Sequence, residues 1–159
     1  MKAASLIQIK KELETISPQK LMALSLRLIK FKTENKELIS YLLFDEDDQS
    51  GYISDIKFEI TALLADIKVL PPYMVKRTFR KCIKLITKYA KYMGSKDAEA
   101  ELLMHFCRAV NQHGINRYTY KAVLNIYWST LLKVHKMLPS VHEDLRVDYE
   151  NEIEQLQKI

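Results

Sequence analysis

Apolar residues recur along this chain at helical spacing from one end to the other. Leu6, Ile9, Leu13 and Ile16 make a single stripe over residues 3–15. Ser17-Pro18 then supplies a capping oxygen and a proline at the first helical position, where its missing N–H costs nothing. The pattern predicts a second helix to about Lys32, with Leu21, Leu24, Leu28 and Phe31 on one face. A short third one is expected over Lys36 to Phe44, with Leu38, Ile39, Leu42 and Leu43 apolar. After the polar run Asp45 to Gly51 a fourth spans about 51–69, turning Ile53, Ile56, Ile60, Leu63, Leu64 and Ile67 inward. Pro71-Pro72 ends it, because proline cannot continue the ladder and disfavours helix in the residue before it.

The fifth helix is expected to open at Pro72 and close at Gly94. Ser95 caps a sixth over 96–112, with Ala98, Leu102, Leu103, Phe106 and Val110 as its core face. Asn116 to Leu138 forms a seventh, with Tyr120, Val123, Leu124, Tyr127, Leu131 and His135 in register. Ser140 and Glu143 have capping-box spacing for a last helix, striped by Val141, Leu145, Tyr149, Ile153 and Leu156. No segment alternates as a strand does, and only three glycines are present. The expected fold is therefore all-α: an antiparallel multi-helix bundle or a short α-solenoid-like array of about eight helices. A faint echo between residues 27–41 and 88–105 is the sequence argument for the array.

A length of 159 residues with 48% hydrophobic and 28% charged composition fits one globular domain, residues 1–159, with a sizeable core. No apolar run reaches the ~18 residues of a membrane span, and the N-terminal stretch has no secretory pattern. Cys82 and Cys107 both fall on apolar faces and read as reduced core thiols, which together point to the cytoplasm.

Charge changes this picture. The net +5 hides strong segregation. Residues 45–70 carry two basic against seven acidic side chains, and residues 140–159 carry two against six. Residues 71–94 carry seven basic side chains and no acid: Lys76, Arg77, Arg80, Lys81, Lys84, Lys88 and Lys91. At 100° per residue these seven fall within an arc of roughly 140°, opposite Val75, Phe79, Cys82, Ile83, Ile86, Ala90 and Met93. Like charges at i, i+4 cost an isolated helix a few tenths of a kcal/mol per pair. The face is either a solvated one, one neutralised by the acidic 45–48 or 140–159 segments of the same chain, or one complemented by an outside partner.

Candidate chemistry is sparse. Walker-type, His-Glu-x-x-His, Cys-x-x-Cys and Gly-x-Ser-x-Gly patterns are all missing from the sequence, so no catalytic residues, cofactor or metal are expected. Residues 46–57 imitate a calcium loop with Gly51 sixth, but Lys57 stands where the twelfth position needs a carboxylate. His105 and His135 lie on or beside apolar faces and read as hydrogen-bonded core imidazoles, and His142 as a helix-start residue. Of the adjacent Tyr127 and Trp128, one is expected in the core and the other partly exposed.

Four segments, RLIKFKTENKELISYLLF, YISDIKFEI, KYMGSKDAEAELLMHFC and SVHEDLRVDYENEIEQL, together resemble a family of small all-helical bacterial proteins with no established activity. The resemblance runs through most of the chain and implies a bacterial cytoplasmic protein. Its motifs are structural, so it brings no site residues with it.

The function expected from these readings is a non-enzymatic interaction or scaffold protein presenting the residue 76–91 face to an acidic protein partner. The alternative is a nucleic-acid-binding module that uses the same cations on phosphates with little sequence preference, Tyr73 and Tyr92 offering stacking surfaces. A membrane partner is not expected, because the apolar face of the basic helix is needed for the core. The narrow stripe and acidic exterior of residues 140–159 suit a homodimer contact or a lid over the core.

Overall fold

The structure, a computed structural model, describes residues 3–114 and 120–158. Among these residues it is all-helical, with no strand. The chain divides into two compact units, Met1–Phe44 and Asp45–Ile159.

The first unit holds α1 (Leu6–Thr15), α2 (Pro18–Phe31) and α3 (Thr33–Ser40). Their starts are set by local chemistry. Ser5 and Gln8 form a reciprocal capping box on α1, and the Ser17 hydroxyl accepts from the Lys20 N–H ahead of α2. The apolar stripes expected to point inward are present, but no core closes over them. None of these three helices has a buried residue, and Phe31 is 76% exposed.

A π-helical turn, Tyr41–Asp45, and a 3-10 turn, Glu46–Asp48, carry the backbone on from α3. Helix α4 (Gln49–Leu64) therefore starts earlier than expected. The Asp48 carboxylate accepts from the Gly51 N–H at 2.9 Å and the Ser50 hydroxyl at 3.1 Å, so the last residue of the acidic run caps the helix. The same helix also ends earlier, at Leu64, and a 3-10 turn at Ile67–Val69 leads to α5 (Pro72–Met93).

The second unit is built around α6 (Lys96–Gln112), which contacts α4, α5, α7 (Lys121–Met137) and α8 (Glu143–Gln157). Nine of its residues are buried, and Phe106 meets Phe79 of α5 edge-on at 5.2 Å. Side-chain pairs fix the helix directions. Lys57 meets Glu101 at 2.6 Å and Thr61 meets His105 at 3.0 Å, so α4 and α6 run parallel in register. Asp97 accepts from the His142 N–H, and Arg108 grips Glu152 through two bonds of 2.7 and 2.8 Å, so α6 and α8 are also parallel. Helix α7 returns between them, Lys133 reaching Glu99 at 2.6 Å.

Three expectations change here. The start of the seventh helix at Asn116 lies outside the described residues, and Tyr120 precedes α7 and is exposed. His135 is exposed, because Thr130, Val134 and Met137 complete the buried face of α7 with Val123, Tyr127 and Leu131. The Ser140 capping box does not form. A 3-10 turn at Leu138–Ser140 directs the Ser140 hydroxyl to the Met137 carbonyl, and His142 becomes the N-cap of α8. Tyr127 is buried and Trp128 38% exposed, as their one-residue offset required.

Two phenylalanines separate core from surface. Phe106→Ala is expected to cost about 3–5 kcal/mol, whereas Phe58→Ala on exposed α4 surface should change stability by less than about 0.5 kcal/mol. Urea unfolding of the two variants checks the contrast.

Candidate functional site

Local chemistry places the basic face. Pro71 precedes α5 in extended conformation, and its carbonyl accepts from the N–H groups of Met74 and Val75. Pro72 occupies the first turn without wasting a donor. Gly94 ends the helix in the left-handed region at φ 62°, its N–H bonded to the Ala90 carbonyl. Val75, Phe79, Cys82, Leu85, Ile86 and Ala90 are buried, while Ile83 and Met93 are half-buried at the edges of that face. Burying this side forces the cations outward.

The structure gathers five of the seven. Lys76, Arg77, Arg80, Lys81 and Lys84 line an open groove of about 720 Å³ with Thr78, Tyr73, Met74 and Leu63 of α4. Tyr73 is 69% exposed, so the groove combines an apolar edge with concentrated positive charge. Arg80 and Lys84 also border a second cleft of about 420 Å³, shared with Ile126, Ser129 and Thr130 of α7. The other two cations stand apart. The Lys88 ammonium lies 4.4 Å from the centre of the Tyr89 ring, and Lys91 lines a separate recess with Gly94, Ser95 and Glu99.

Internal neutralisation, one of the two expected complements, is not found for six of the seven. Among the described residues Lys76, Arg77, Arg80, Lys81, Lys84 and Lys91 form no ion pair. Several acids are engaged elsewhere. Glu101 is paired with Lys57, Glu152 with Arg108, and Glu99 with both Lys96 and Lys133. Burial pushes the Glu99 carboxyl up, but the two ammonium groups more than offset that and hold it below the ordinary carboxylate value. Asp48 is spent on the α4 cap.

The remaining candidates settle into structural roles. Cys82 and Cys107 are buried free thiols. Burial pushes Cys82 up to about 12 against the lowering charge of Lys81, and raises Cys107 as well. The Thr61 hydroxyl donates to the Lys57 carbonyl and so accepts from His105 Nε2–H. Burial first, then the Lys57 charge, hold that imidazole below its ordinary value. Tyr92 is half-buried and packs edge-on against Tyr89 at 5.9 Å, which leaves Tyr73 as the exposed ring beside the groove. Sequence reasoning missed Leu63 and Met74. Leu63 looks like any core leucine of α4, and only the α4–α5 packing reveals it as a groove wall.

No helix among the described residues is long and apolar enough to cross a membrane. Comparison with protein-family models, curated proteins and solved structures finds no match.

Two outcomes follow from this geometry. Lys81→Glu with Lys84→Glu removes like-charge neighbours and should leave stability unchanged or raise it by a few tenths of a kcal/mol. Arg108→Met should lower it by up to about 1 kcal/mol, since the pair it breaks is partly exposed. Thermal unfolding distinguishes them. A lowered histidine pKa means the unfolded chain binds more protons just below the ordinary value of 6.5, so stability falls as pH drops through that window. A His105→Gln variant should lose that part of the pH dependence in melting curves from pH 7.5 to 5.

Proposed function

We propose that this chain is a non-enzymatic interaction protein whose α5 groove docks an acidic segment of a protein partner. The observation that carries the reading is the set of unpaired cations around a groove with an apolar wall. Carboxylates would meet Lys76, Arg77, Arg80, Lys81 and Lys84 while an apolar side chain seats against Leu63, Tyr73 and Met74. Arginine supports this role, because its planar fork binds carboxylates in two-bond geometry. Exposed charge alone speeds and steers association, and the apolar wall supplies what a lasting complex needs.

The scaffold belongs to the same reading. Helices α4, α6 and α8 run in parallel with α5 and α7 packed against them, so we read the second unit as a short two-layer array of the α-solenoid kind. An array of this kind displays the outer faces of successive helices side by side. Nucleic acid is the weaker occupant of the groove. Stacking along a strand needs several free rings, and Tyr92 is engaged by Tyr89.

Fluorescence anisotropy with a labelled ~15-residue helical peptide alternating glutamate and leucine tests the proposal, beside single- and double-stranded DNA and RNA. The peptide is expected to bind at ~50 mM salt and to weaken as salt screens it. Arg77→Glu with Lys81→Glu and Lys84→Glu should abolish binding while the helical circular dichroism is unchanged. Nucleic-acid binding with a log–log salt slope near −0.7 to −0.9 per phosphate, and none to the peptide, would replace this reading with the alternative. Binding to neither would leave the face as solvated surface.

A further inference from the structure

Helix α8 has the same property as α5 with the sign reversed. Its buried side, Tyr149, Ile153 and Leu156, packs on α6 and α7. Its outer side is exposed and acidic. Glu143, Val147, Glu150 and Glu154 follow one another at i, i+4, i+7 and i+11, so they form one row, and Asp148 lies on the other flank of the exposed side, at least about 100° round the helix. Among the described residues Glu143, Asp148, Glu150 and Glu154 have no ion pair. Val147, 59% exposed, interrupts the carboxylates with a single apolar side chain. Like-charged neighbours on an exposed helix are a local cost, which a complementary surface removes.

We infer that the acidic segment docking in the α5 groove is the outer face of α8 from a second copy of this chain. This rests on the reading of that groove as an acid-docking surface and names its occupant. The dimensions agree. The acidic row from Glu143 to Glu154 is about 17 Å long and the groove cations from Lys76 to Lys84 span about 12 Å, at 1.5 Å per residue. Val147 lies between Glu143 and Glu150, where an apolar anchor would meet Leu63, Tyr73 and Met74. The chain's own α8 is held on α6 by Arg108–Glu152 and by Asp97 on the His142 N–H. The groove is thus filled from another molecule. Because the two surfaces are different patches, the contact is heterologous and propagates head to tail.

Sedimentation equilibrium on the full chain tests this, using three proteins at ~50 and ~500 mM salt. The first is the wild type. The second carries Arg77→Glu, Lys81→Glu and Lys84→Glu. The third carries Asp148→Lys, Glu150→Lys and Glu154→Lys, which spares the Arg108 partner Glu152. The wild type should exceed its 18.7 kDa monomer mass at low salt and return to it at high salt. Each variant alone should weaken association by at least about tenfold. An equimolar mixture of the two should regain association above the monomer mass, because the intact groove of one meets the intact acidic row of the other. A wild type that stays monomeric at low salt overturns the inference, as does association that survives the α8 substitutions. If the chain is monomeric yet the glutamate–leucine peptide still binds the groove, the acid-docking reading stands and only its occupant is wrong. If the peptide fails too, both fall.

Discussion

Helix α6 can be buried on so many sides only if four other helices give it their apolar faces. Its inner positions, Ala98, Leu102, Leu103, Phe106, Cys107 and Val110, are met by α4, α5, α7 and α8. Each of those helices has one apolar side to contribute, and its opposite side is committed to water by that choice. The cationic face of α5 and the acidic face of α8 are therefore consequences of the core. Neither helix can turn its charges inward without exposing Phe79 or Tyr149.

The distribution of acids then decides what the α5 face can do. Helices α6 and α8 supply the carboxylates closest to the core, and each is matched with a cation from another element or from its own first turn. Glu101 takes Lys57, Glu99 takes Lys133 and Lys96, and Glu152 takes Arg108. These partly exposed pairs add little stability individually, but they fix the register of neighbouring helices. Their larger consequence is that Glu99, Glu101 and Glu152 are engaged away from the α5 groove. The recess beside Tyr73 and Met74 is lined by five cations that form no ion pair among the described residues.

Much of this was legible in the sequence where short-range chemistry rules. Pro72, Gly94 and Ser95 mark the ends of α5 and the start of α6 because a missing donor, a left-handed residue and a capping hydroxyl act within a few residues. The one-sided charge of α5 was legible for the same reason. Tertiary context decided the rest. Asp48 caps a helix inside what looked like an open loop, and His142 displaces Ser140 because Pro139 draws the preceding residues into a tight turn. His135 is in register with the core but lies outside the arc that α6 covers. The groove itself could not be read from one helix, since Leu63 reaches it from α4. Nor could the lack of any buried residue in α1 and α2, whose periodicity is that of a buried helix.

The central claim is that the five α5 groove cations, Lys76, Arg77, Arg80, Lys81 and Lys84, form no ion pair within the described residues, and the salt dependence of stability tests it most directly. At low micromolar concentration the melting temperature should rise between ~20 and ~300 mM NaCl as screening relieves repulsion along the helix. The rise should shrink when Arg77, Lys81 and Lys84 are all replaced by Gln. A melting temperature that falls with salt, and falls less in that variant, would show that acids within the protein already neutralise the face.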